Sequence, residues 1–179
     1  MCLNFYILVW GDKMSIIKKI KTDFHIINPI YPLCAGTGIT ILGLVTLISS
    51  NCHPIYQWIL LPRGALPYWL FALTGIIMFF LLGATLGLFF DPQYCKQKIY
   101  LPILMLLSDI VLTMVWYHMV FISFRTLIAI AILILTLYIE FLIIRYGLIL
   151  NSLIIVSSIL ICSIKIHYLW LNIGINFLN

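Results

Sequence analysis

Residues 66–90 read LPYWLFALTGIIMFFLLGATLGLFF, a run without a charge, closed by Arg63 before it and Asp91 after it. A hydrocarbon core of ~30 Å is crossed by a helix of about 20 apolar residues. Backbone groups in lipid must be satisfied within the segment, which makes a helix the expected form. Pro67 stands near the start, where the missing N–H costs nothing, and Pro92 follows the end. This stretch is therefore a membrane-spanning helix, and it sets the scale for the rest of the chain.

Working outward, the charge-free run between Asp23 and Arg63 holds an apolar segment at 30–50. Further segments follow at about 100–122, 126–144 and 148–168, with Tyr146-Gly147 marking a turn between the last two. The expected fold class is an all-α membrane protein, a bundle of five transmembrane helices occupying 30–179. The short alternating segments of a barrel are absent from the sequence. Composition agrees: 64% of residues are hydrophobic and 8% charged, against roughly 45–50% and 25% in a soluble domain. That excludes a soluble enzyme, a disordered regulator and a nucleic-acid-binding domain. The five cysteines are scattered without a CxxC, so neither a disulfide framework nor zinc-ligand spacing is present.

Residues 1–29 contain Lys13, Lys18, Lys19 and Lys21 after a short apolar stretch, the reverse of a signal peptide's order. They read as a basic interfacial segment, with Met1 and Met14 both available as starts. The Lys/Arg bias sets orientation. With the N-terminus cytoplasmic, the inner side holds Lys13, Lys18, Lys19, Lys21, Lys96, Lys98 and Arg145, and the outer side Arg63, Arg125 and Lys165. The net charge of +5 is thus a topology signal, with no nucleic-acid partner implied.

The stretch from Asn51 to Phe71 crowds Tyr56, Trp58, Tyr68, Trp69 and Phe71 around Pro62 and Pro67. It reads either as an aromatic belt at the headgroups or as a loop closing over a pocket among the helices. Order and spacing resemble the TspO/MBR family, the tryptophan-rich sensory and translocator proteins, whose pattern is P-x-W-x-P-P-x-W-x-F with an aromatic six residues earlier. Tyr56, Pro62, Pro67, Trp69 and Phe71 match, while Gly64 and Leu66 stand where the family has Trp and Pro. Phe79 and Gly83 fit the aromatic and glycine of the following helix. Asp109, Thr113, Trp116 and Tyr117 follow the motif N-x-x-W-S-x-x-F-F, with Asp for Asn and Leu112 for Trp. His167-Tyr168 and Trp170 resemble the P-Y-x-x-W of the last helix.

The resemblance implies five helices around a cavity for a hydrophobic planar ligand: a porphyrin, a haem-like tetrapyrrole or a sterol. No cofactor is required, and the role is sensing or transport rather than catalysis. The implied ligand-binding residues are Tyr56, Pro62, Pro67, Trp69, Phe79, Asp109, Thr113, Trp116, Tyr117 and Tyr168. The chain has five tryptophans, fewer than the family's name implies. Family members are often homodimers, which the glycine spacing permits.

Ionisable groups in the bilayer are costly and mark functional positions. Asp109 lies about 13 Å into its helix at ~1.5 Å per residue, with Thr113 and Trp116 on the same face. It reads either as a structural inter-helix contact or as the polar floor of a ligand cavity. Glu140, Arg145 and Lys165 read as rim anchors that snorkel. His118 points away from Asp109. Gly83 and Gly87 form GxxxG, a close-packing surface. Nothing in the sequence argues for an enzyme or a metal site. Two other classes remain: an accessory membrane subunit without a ligand, and a small transporter using Asp109 as a proton or cation site.

Overall fold

The computed structural model describes residues 28–90, 100–122, 126–150 and 152–178. The basic N-terminal lysines, Lys96, Lys98 and Arg125 lie outside the described residues. The helices are α1 (Ile30–Ser49), α2 (Cys52–Trp58), α3 (Tyr68–Phe89), α4 (Tyr100–Phe121), α5 (Thr126–Leu150) and α6 (Ser152–Leu178). All but α2 are long and apolar enough to cross a membrane, so the chain is an all-α protein with five spanning helices.

Local chemistry sets the boundaries. Asn51 adopts φ 49°, a left-handed conformation that breaks α1 from α2; its short polar side chain tolerates that region better than most. Pro67 is extended at φ −60°, ψ 151°, so α3 begins at Tyr68, and the Pro67 carbonyl accepts from the Leu70 and Phe71 N–H groups. The sequence reading began this helix at Leu66, but proline pushes its predecessor out of the helical region.

Two helices are longer than expected. Tyr146 and Gly147 are not a turn; they lie inside α5, which runs to Leu150. A Cβ on Gly147 would come within 3.0–3.1 Å of Ile155 and Ile154, so its absence lets α5 and α6 close into a hairpin. α6 in turn continues to Leu178, beyond the expected 168.

α3 is the hub, in contact with α1, α4 and α6, while α5 joins α4 to α6. α1 packs on α3 with backbone against backbone. A Cβ on Gly83 would meet the Ala35 carbonyl oxygen at 2.5 Å and the Gly36 Cα at 2.8 Å; one on Gly87 would meet the Tyr31 carbonyl oxygen and Pro32 Cα, each at 2.5 Å. The GxxxG surface is thus used within the chain, between α3 and α1. α2 caps one end of the bundle, with Cys52 and Tyr56 buried beneath it.

Candidate functional site

Two interior features stand out, one built on α3, α4 and α6 and the other on α4, α5 and α6. Towards the α2 end lies an aromatic cluster. Deeper along α4 and α6 lies a set of charges.

The cluster forms because Phe71 on α3, Trp116, Tyr117 and Phe121 on α4, and Tyr168 on α6 all point inward and are buried. Trp116 stacks on Tyr168 at 5.1 Å with 8° between the planes. Tyr56 reaches down from α2 to Phe71 at 4.9 Å, and Phe79 stacks on Tyr117 at 6.0 Å. Such pairs add about 0.5–1.5 kcal/mol each beyond simple burial. The hydroxyls are linked as well. Tyr117 donates to the Tyr168 oxygen at 3.3 Å, Tyr168 donates to the Phe71 carbonyl at 3.1 Å, and Thr74 Oγ1 is 3.0 Å from Tyr168 Oη. Gly75 makes room for this: a Cβ there would sit 2.6 Å from the Tyr117 hydroxyl.

The loop above is tied down at both ends. Tyr56 Oη donates to the Leu66 carbonyl at 2.6 Å, and burial pushes its phenol pKa up. The Pro62 ring lies against α6, where a Cβ on Gly174 would come within 2.6 Å of it. Gly64, at the position where the family pattern has tryptophan, has φ +89°, a turn that side-chain-bearing residues rarely adopt. Cys52 is buried beside Ser50, with Sγ 3.0 Å from Oγ, and burial pushes its thiol up to about 11.

Beyond the aromatic cluster, Lys165 on α6 donates to both oxygens of Asp109 on α4, at 2.5 and 2.6 Å. Glu140 on α5 approaches the same ammonium at 3.9 Å, and all three side chains are fully buried. The expectation that Glu140 and Lys165 anchor at the rim is corrected. Because α5 extends to Leu150 and α6 to Leu178, both residues fall mid-helix and turn inward. Arg145 does stay exposed, its guanidinium 5.3 Å from the centre of the Phe141 ring.

Several buried polar atoms have no hydrogen-bond partner among the described residues: Thr113 Oγ1, Trp116 Nε1, both Glu140 oxygens, Ser158 Oγ and the Asn172 amide. Each such group costs about 1–3 kcal/mol when left unmade.

The structure thus brings Tyr56, Phe79, Trp116, Tyr117 and Tyr168 into one cluster, with Asp109 and Thr113 on the same face of α4 and Pro62 in the cap. Trp69 lies apart, on the bundle exterior and 66% exposed, and Pro67 is exposed at the head of α3. His118 places Nδ1 3.2 Å from its own helix's Met114 carbonyl. Lys165 and Glu140 are the functional candidates that sequence reasoning placed elsewhere. The signal that finds them is periodic: Ser158, Ile161, Lys165, Tyr168 and Asn172 fall at helical spacing on one buried face of α6.

Cavities also lie elsewhere among the described residues, lined by residues outside the expected set. One of 520 Å³ runs between α1, α3 and α6, beside the hydrogen bond from Thr85 to Ser157 at 2.7 Å. Another, of 330 Å³, lies under α2 against Leu47, His53 and Tyr68, and a third, of 630 Å³, lies against Ile30, Tyr31, Cys34 and Phe90. Among the described residues no three His, Cys, Asp or Glu side chains gather to hold a metal ion. Comparison with protein-family models, curated proteins and solved structures finds no match to this chain.

Proposed function

We propose that this integral membrane protein is TspO/MBR-like and binds a hydrophobic planar ligand, a porphyrin or other tetrapyrrole or a sterol, for sensing or transport. The observation that carries the reading is the pairing of flat, buried aromatic faces with unpartnered polar atoms on the same rings or within a helical turn of them. Trp116 and Tyr168 offer stacking surfaces, while Trp116 Nε1, Thr113 Oγ1 and the Asn172 amide hold free hydrogen-bonding capacity beside them. A ligand with an apolar plane and a few polar substituents satisfies both. The rings now fill the space themselves, so binding requires Trp116 and Tyr168 to part beneath the α2 cap.

The test is a titration of the detergent-solubilised protein with protoporphyrin, read by the porphyrin's own absorbance shift. Binding is expected to be saturable. Trp116→Phe should weaken it by up to about tenfold, the equivalent of one aromatic contact, and Trp69→Phe should leave it unchanged because that ring faces away from the cluster. Absence of saturable binding removes the tetrapyrrole reading and favours an accessory subunit whose helices only pack.

A further inference from the structure

We propose that Asp109, Glu140 and Lys165 form a proton-binding site inside the membrane, holding one proton on its two carboxyls. The argument begins with charge. Two carboxyls and one ammonium, all fully buried, leave one negative charge uncompensated when every group is ionised. An isolated buried charge is strongly disfavoured, and within a bilayer more so. One proton makes the set neutral.

Geometry says where the proton is not needed. Asp109 receives two short hydrogen bonds from the Lys165 ammonium, as an ionised pair does. Glu140 stands 3.9 Å from the same nitrogen, and neither of its oxygens has a hydrogen-bond partner among the described residues. It is a buried carboxyl aimed into the cluster with capacity to spare. The helices packed on α5 are α4 and α6. The titratable and polar groups facing Glu140 are Asp109 from α4, and Ser158, Cys162 and Lys165 from α6. Among these Lys165 is the one cation, and Asp109 already engages it. The binding step is a proton transfer from solvent: an O–H bond forms at a carboxylate oxygen as one in hydronium breaks, and no electrons are exchanged. This site does not depend on whether the aromatic cluster takes a ligand.

Infrared spectroscopy at pH 7 counts the protons. A protonated carboxyl gives a carbonyl stretch separate from the carboxylate and amide bands. The spanning helices hold only two carboxyls, Asp109 and Glu140, so a buried, slowly exchanging band belongs to this site. The wild type should show the intensity of one protonated carboxyl. Glu140→Gln and Asp109→Asn should each show none, because the remaining carboxylate pairs with Lys165. Lys165→Met should show twice the wild-type intensity. No such band in the wild type overturns the proposal, since the triad is then fully ionised. A doubled band in the wild type overturns it too, since Lys165 is then neutral. A band that survives both carboxyl substitutions belongs elsewhere and sinks the assignment. The wild-type spectrum decides the first two outcomes even where a variant fails to fold.

Discussion

A single buried residue shows how position governs chemistry. Cys52 begins α2 with its thiol enclosed beneath the cap, where burial raises its pKa from 9.0 to about 11 against the opposing hydrogen bond with Ser50. The folded state therefore holds this proton more tightly than the unfolded chain. The stability it contributes is present below 9.0 and is lost as pH rises through about 11. In a variant retaining Cys52 alone, iodoacetamide should label slowly at pH 8 and speed up only towards pH 11, since the thiolate is the nucleophile. Rapid labelling at pH 8 means the cap is open. A single side chain is legible in the sequence where it carries its own energetic cost. Asp109 was recognisable as interior because a carboxylate nine residues into an apolar helix cannot reach water. Its partners were hidden because lysine and glutamate near an assumed helix end are indistinguishable from snorkelling anchors. A difference of six or more residues in where α5 and α6 end moved Glu140 and Lys165 from rim to centre.

Elements meet here by omission of side chains. α1 and α3 approach so closely that a Cβ on Gly83 or Gly87 meets backbone atoms of α1 at 2.5 Å, and backbone cannot rotate away as a side chain can. Gly83→Ala should therefore destabilise the bundle by about 1–3 kcal/mol, the usual cost of overpacking. Gly38 on α1 has nothing within 4 Å of its would-be Cβ. Gly38→Ala should be neutral or stabilise by up to about 1 kcal/mol through helix propensity. Thermal unfolding of the two variants in detergent separates these outcomes, and equal losses would show that α1 does not dock on α3 in this register. The GxxxG spacing was visible in the sequence. Its partner was not, because spacing gives the surface of one helix and leaves the facing helix open. α2 went unseen as a helix for a related reason: a seven-residue segment after a left-handed Asn51 has no periodicity long enough to read.

At the scale of the whole molecule, the number of spanning helices followed from the charge-free apolar runs, because a bilayer permits few solutions. Orientation is a separate matter, decided by where charges sit relative to the spans. The structure changes that count. Lys165 is fully buried and paired with Asp109, so it is no longer a loop charge. Counted from the sequence alone with Lys165 left out, the connections on the α2 side hold Arg63 and Arg125, against Lys13, Lys18, Lys19, Lys21, Lys96, Lys98 and Arg145 in the segments on the other, two against seven. A bias of this size over short connections predicts a cytoplasmic N-terminus and an external α2 cap. Gln57 is exposed on α2, which makes it a suitable reporter. In a cysteine-free background, in intact cells that carry the protein in their surface membrane, Gln57→Cys should react with a membrane-impermeant maleimide without permeabilisation. Labelling only after permeabilisation inverts the topology. It would also place the aromatic cluster in the cytoplasmic half of the bilayer.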